Sequence, residues 1–226
     1  MRAVLAFGCL VFTALVCVPA GVASYGVSTN ASAPTLRVDA KGDAEVGWMQ
    51  NGKRVTFIVP PRGVGYHGTL PGADISKAGG SSLPLAIVAR KTADGTLWAL
   101  QELQISGRPA SLDLARWKGA PTQLALATDG KRLTGTVAFD GRPVTGSSPT
   151  LNGTQERVYV YLECFGCAAQ PNGWSFLLGV HPKTDGSFAA ALRPNWIGSK
   201  YRATVQGPNV DGQLAPDAQV VIDAGS

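Results

Sequence analysis

Cys164 and Cys167 stand with two residues between them in the stretch YLECFGCAAQ, a spacing that serves a redox centre, half of a metal site or a covalent clip. A redox centre needs the first thiol at a helix N-terminus, where the helix dipole lowers its pKa. Pro171, Asn172 and Gly173 follow within a few residues and leave no room for such a helix. A zinc site needs two further ligands. The chain holds only two histidines, His67 and His181. The spacing of Cys164, Cys167 and His181 approaches that of a Cys2His2 finger, but Asp185 stands where the fourth ligand belongs. A structural disulfide across a strand-end loop is the expected state, with zinc and a free dithiol as its competitors. No metal and no cofactor is assigned.

His67 is the other residue with catalytic potential. Tyr66-His67-Gly68-Thr69 is similar to the His-Gly-Thr fragment of L,D-transpeptidases, which also carry a Cys in a Ser-His-Gly-Cys context close behind. Here the cysteines lie far downstream with no His before them, so an exposed His in a Gly-rich turn is the favoured reading. The chain has no G-x-S-x-G elbow. The tryptophans are Trp48, Trp98, Trp117, Trp174 and Trp196. Rings of this kind either fill a core or stack on a sugar. Trp174 alternates with Phe176 and Leu178 and is expected inside, whereas Trp196 in RPNWIGSKY is expected at the surface. Tyr66, His67, Trp117 and Trp196 are the candidate ligand contacts.

The elements that must position these residues are strands. Charged residues make up 15% of the 226, below the usual quarter, while Gly (28) and Pro (15) supply turns. Asn51-Gly52, Asp94-Gly95 and Asp129-Gly130 each separate alternating apolar and polar runs, the signature of a hairpin, and Asp185-Gly186 turns the chain into SFAAAL. In RVYVYLEC, Val158, Val160 and Leu162 share one face and Tyr159, Tyr161 and Glu163 the other; Trp174, Phe176, Leu178 and Val180 align in the same way. Basic residues are scattered, with no run interleaved with aromatics, which disfavours nucleic acid as a partner.

At the N-terminus, Arg2 precedes the apolar run from Ala3 to Ala20, and small residues follow. That is the pattern of a secretory signal peptide, expected over residues 1–23, with a membrane anchor as the alternative if it stays uncleaved. Its loss takes Cys9, Cys17 and Arg2, so the formal charge of +5 falls by one to +4. Residues 24–34 read as a flexible leader.

From about residue 130, the order LTGTVAFDGRPVTG, RVYVYLE, a Trp strand, TDGSFAAALRP and YRATVQGPN resembles the immunoglobulin-like, fibronectin-III-like or carboxypeptidase-regulatory-like modules of secreted bacterial proteins. The resemblance implies a β-sandwich and does not by itself imply a function. The expectation is an all-β protein of two β domains, residues 35–128 of no recognised family and residues 129–226 an Ig-like antiparallel sandwich. Its expected role is that of an exported, non-enzymatic structural or interaction module, secreted or in the cell envelope. The partner would be a cell-wall polymer or another envelope protein. A carbohydrate- or cell-wall-binding module is the alternative, and a hydrolase or transpeptidase using His67 the third.

Overall fold

A computed structural model describes residues 25–60, 66–67, 86–149, 155–207, 209–210 and 213–225. The signal segment expected over residues 1–23 and most of the Gly-rich connection after Pro60 lie outside the described residues. The first half supplies β1 (Tyr25–Thr29), β2 (Ser32–Val38), β3 (Ala44–Gln50), β4 (Lys53–Val59), β5 (Tyr66–His67), β6 (Ala86–Lys91), β7 (Leu97–Leu103) and β8 (Ser111–Trp117). Then come β9 (Thr122–Thr128), β10 (Arg132–Phe139), β11 (Arg142–Pro143), β12 (Ser147–Pro149), β13 (Gln155–Arg157), β14 (Val160–Cys167) and β15 (Gln170–Val180). The chain ends with β16 (Ser187–Ala191), β17 (Lys200–Val205), β18 (Asn209–Val210), β19 (Gln213–Leu214) and β20 (Ala218–Asp223). The protein is all-β; the one helical turn among the described residues is Pro194–Trp196.

Turn chemistry sets the hairpins. Asn51 and Gly52 both have positive φ, 51° and 74°, which lets the tight turn follow the twist of β3 and β4. In the Asp-Gly turns the aspartate accepts backbone protons ahead of it. Asp129 Oδ1 takes Lys131 N and Arg132 N at 2.8 Å; Asp185 Oδ1 takes Ser187 N at 2.9 Å in a turn that joins β15 and β16 across two sheets and is not a hairpin.

Two sheets make the first unit. One has the order β2-β3-β4-β5; the other has the order β6-β7-β8, with β1 and the β18–β19 hairpin on the far edge of β8. Leu36, Val38, Ala44, Val46 and Trp48 from the first meet Trp98, Leu100, Leu112 and Leu114 from the second. The opposite faces of β7 and β8 are buried as well, because Ala99, Ala115 and Trp117 belong to the core of the second unit. The β6-β7-β8 sheet is therefore a middle layer, which explains why LWALQEL and SLDLARW read as nearly continuous apolar runs.

The second unit packs β9-β10-β16, with β11 continuing the β16 side, against β15-β14-β17-β20. Leu133, Val137, Phe139 and Phe188 come from one sheet and Val160, Leu162, Tyr201, Ala203 and Val205 from the other.

Two boundaries differ from expectation. Residues 24–34 hold β1, paired with β8, and the start of β2, paired with β3, so from Tyr25 onward the leader is built into the sheets. The split at 128/129 cuts the β9–β10 hairpin, whose strands pair from Thr122↔Phe139 to Thr128↔Leu133. Packing places β9 with the second unit, where Leu124 and Leu126 lie against its core.

Candidate functional site

Cys164 and Cys167 are bonded to each other, with Cα atoms 6.0 Å apart, and both are buried in the second core. Gly166, at φ 72°, lies between them at an irregularity in the register of β14. His181 does not approach them. The β14–β15 ladder pairs Val160 with Val180 at one end and Cys167 with Gln170 at the other, so the cysteines and His181 sit at opposite ends. There the His181 ring lies 4.1 Å from the Tyr159 ring and its Nδ1 is 2.7 Å from Val158 O. Asp185 is held in its own turn.

The four candidate contact residues do not form one cleft. Trp117 is 1% exposed and offers no face to a ligand. Trp196 is half-buried in the turn before β17, where the Arg193 guanidinium lies 4.5 Å over its ring. Tyr66 and His67 pair through their backbones with Ile58 and Phe57, at the edge of the outer sheet of the first unit; their side chains lie outside the described residues.

The residues that do converge are on the outer face of β15-β14-β17-β20. The expected alignment of Trp174, Phe176, Leu178 and Val180 on one face is broken. Leu162 pairs with Leu178, but the next residue, Glu163, pairs with Phe176, so Leu177 is an extra residue in β15. Such a bulge reverses the side-chain phase. Leu178 and Val180 pack on the core, while Phe176 is 38% exposed and Trp174 half-buried. Trp174 and Phe176 are thus surface residues, contrary to the alternation read from the sequence. The Glu163 side of β14, expected in solvent, is covered by the chain from Leu103 to Arg108.

The cross-strand registers line up two rows on this face. One runs Phe176, Glu163, Arg202, Val221; the next runs Trp174, Phe165, Lys200, Asp223. Glu163 is 0% exposed. It accepts both Arg202 nitrogens at 2.7 Å and Ser106 N at 2.9 Å. Burial pushes its carboxyl up, but the Arg202 and Ser106 hydrogen bonds outweigh that and hold it below its ordinary value. The Arg202 guanidinium lies 4.3 Å from the Trp174 ring centre, and Trp174 meets Phe165 edge-on at 5.5 Å. Arg108 lies over Tyr161 and Phe176, at 4.7 Å and 5.6 Å. The row ends in exposed apolar side chains, Phe176 and, at 48%, Val221. The result is a rigid strip of rings and guanidinium groups beside exposed aliphatic surface.

Only part of this strip is legible in sequence. The alternation of RVYVYLEC puts Tyr161 and Glu163 on one face, but Arg108 and Arg202 are too distant in sequence to be linked to it.

A second surface feature is an open depression of about 480 Å³ lined by Arg37, Arg54, Arg90, Glu45, Thr35 and Val88 among others. Its arginines brace strands. Arg37 bonds Glu45 at 3.1 Å, and Arg54 lies across Gly47 to reach Ala33 O and Thr35 Oγ1.

Compared with known protein families, curated proteins and solved structures, the chain finds no match.

Proposed function

We propose that the chain is an exported, non-enzymatic protein of the cell envelope. It works as an interaction module and holds an extended partner on the outer face of β15-β14-β17-β20. The observation that carries this reading is the row Phe176, Glu163, Arg202, Val221, apolar and exposed at both ends and fixed at its middle by a buried ion pair. Apolar side chains left in water favour a partner that covers them. A buried ion pair adds less to stability than to fixed geometry, and a binding surface needs fixed geometry.

Two further expectations belong to the same reading. Export rests on Arg2, the apolar run after it and the small residues that follow; the Cys164–Cys167 bond suits an oxidising compartment. The second unit is read as an Ig-like or fibronectin-III-like module. Of its long strands β9, β10, β14, β15, β16, β17 and β20, the first, second and fifth form one sheet. The third, fourth, sixth and seventh form the other. Relative to an Ig constant domain, the fourth strand has moved to the edge of the other sheet.

The half-exposed Trp174 ring favours a second reading, a cell-wall carbohydrate as the partner, since an aromatic face stacks on the apolar face of a sugar. The test is retention of residues 24–226 on isolated, insoluble cell-wall polysaccharide and on immobilised envelope proteins, with Trp174→Ala/Phe176→Ala beside the wild type. Binding to either support that falls at least tenfold in the double variant, with an unchanged circular dichroism spectrum, supports the face. Binding that ignores the double substitution rejects it. Turnover of wall material that disappears in His67→Ala would replace the non-enzymatic reading with a catalytic one.

A further inference from the structure

The chain crosses from β16 to β17 over one end of the second unit. Register gathers the strand ends there. Arg132 pairs with Ala191, and Phe165, Lys200 and Asp223 stand side by side. Leu192 N donates to Lys131 O at 2.8 Å, which seats the β9–β10 turn beside the crossing. The crossing reads RPNWIGSK, and Arg193, Pro194, Asn195, Ile197, Ser199 and Lys200 are exposed in it. Ile197, at 59%, is the most exposed large apolar side chain among the described residues.

The tip is held in place from both flanks. Trp196 N donates to Arg193 O at 2.9 Å and closes the helical turn. Ser199 N donates to Phe165 O, and Ala224 N to Ser199 O, both at 2.9 Å. Gly198 passes so near β14 that a Cβ would sit 2.4 Å from Phe165 O. Ile197 therefore stands outward on a fixed backbone. Behind it the half-buried Trp196 ring lies 4.5 Å beneath the Arg193 guanidinium.

The same end is basic. Lys131, Arg132, Arg193 and Lys200 are all exposed. The acids of these strand ends among the described residues are Asp129 and Asp223, and each lies near a cation. Arg132 Nε is 3.8 Å from Asp129 Oδ2, and Lys200 Nζ is 3.7 Å from Asp223 Oδ1. Lys131 and Arg193 have no carboxylate partner among the described residues.

An aliphatic tip, an indole behind it and spare cations beside it match the layers of one kind of partner. Acyl chains accept Ile197, the interfacial layer suits the amphipathic Trp196 ring, and anionic headgroups attract Lys131 and Arg193. A protein interface of standard size takes roughly 20–30 residues a side. One protruding loop falls short of that, whereas a bilayer has only to close around a tip. We propose that the Arg193–Lys200 crossing docks the protein on an anionic lipid surface, with Ile197 inserted and Trp196 at headgroup level. The contact is reversible, because so small an apolar area is far from the hold of a spanning helix. It does not rest on the outer-face strip of β15-β14-β17-β20.

The test is cosedimentation of residues 24–226, which lack the apolar N-terminal run, with vesicles of phosphatidylcholine alone or mixed with phosphatidylglycerol. One spare cation near an anionic leaflet strengthens partition about fivefold. Two should favour the mixed vesicles about 25-fold at low salt, and the preference should shrink as salt rises. Ile197→Asp should lower binding to the mixed vesicles at least tenfold, and Lys131→Gln/Arg193→Gln should remove the preference for them. All three positions are exposed, and circular dichroism checks that the fold is kept. Phe176→Ala, on the outer-face strip, should bind as the wild type does. A wild type that ignores both vesicles or binds them equally overturns the proposal, as does undiminished binding in Ile197→Asp. A loss in Phe176→Ala as large as that in Ile197→Asp places the lipid contact on the other face and overturns it too.

Discussion

Glu163 shows what one buried charge does to the rest of the sheet. Its carboxylate is fully enclosed and takes three hydrogen bonds, two from Arg202 and one from Ser106 N. Removing it strands a guanidinium that is only 13% exposed. Glu163→Ala should therefore cost about 3–5 kcal/mol in denaturant unfolding, the usual toll of breaking a buried pair from one side. Its carboxyl is held below the ordinary 4.5, so its contribution is present above that value and is lost as pH falls further. In Glu163→Gln the acid limb of the stability curve should flatten. The cysteine pair is a smaller matter. Closing so short a loop removes about 2 kcal/mol of unfolded-state entropy, so Cys164→Ala/Cys167→Ala should lower stability by about that amount plus a cavity contribution, and leave the fold intact by circular dichroism. Cys164 and Cys167 were legible because their pairing is local. The Glu163–Arg202 pair was not, because its members come together only when β14 and β17 are paired.

Strands and their turns were largely readable, and the reason is range. Asn51-Gly52, Asp94-Gly95, Asp129-Gly130 and Asp185-Gly186 each put a glycine at positive φ between two strands. Turn chemistry acts over four residues, so sequence suffices to find it. The bulge at Leu177 is different. It exists only relative to β14, and nothing in WSFLLGV alone says that one residue must be skipped. That single insertion moved Trp174 and Phe176 from the expected core to the surface. It leads to a paired prediction by chemical denaturation. Phe176→Ala should change stability by less than about 1 kcal/mol, while Leu178→Ala, two residues on but facing the core, should cost about 2–3 kcal/mol. Equal costs would mean that the bulge is misplaced. β15 is also an edge strand without a charge from Gln170 to Val180, and the same bulge makes its edge a poor template for pairing with another chain.

At the scale of the molecule, the two expected domains are not separable objects. Trp117, Ala99 and Ala115 of the middle layer share a core with Leu133, Phe139 and Val160. A chain that begins at residue 129 would lose β9 and expose that core. Expressed alone, residues 129–226 should show no cooperative thermal transition, whereas residues 24–226 should unfold in one step. A sharp transition in the fragment would show that the second unit stands without its neighbour.

The β18–β19 hairpin adds an ordering in time. Residues leave the ribosome from the N-terminus, at about 5–20 per second. β8 is complete at Trp117, yet part of its outer edge is closed by Leu214, which pairs with Arg116. Between those two moments roughly a hundred residues must be made, on the order of 5–20 seconds at that pace. Throughout that interval the middle layer keeps an unpaired stretch of backbone and an uncovered Trp117. The short strand Gln213–Leu214 is thus the latch on the first unit, and a ribosome stalled before residue 214 holds a nascent protein that is a substrate for chaperones.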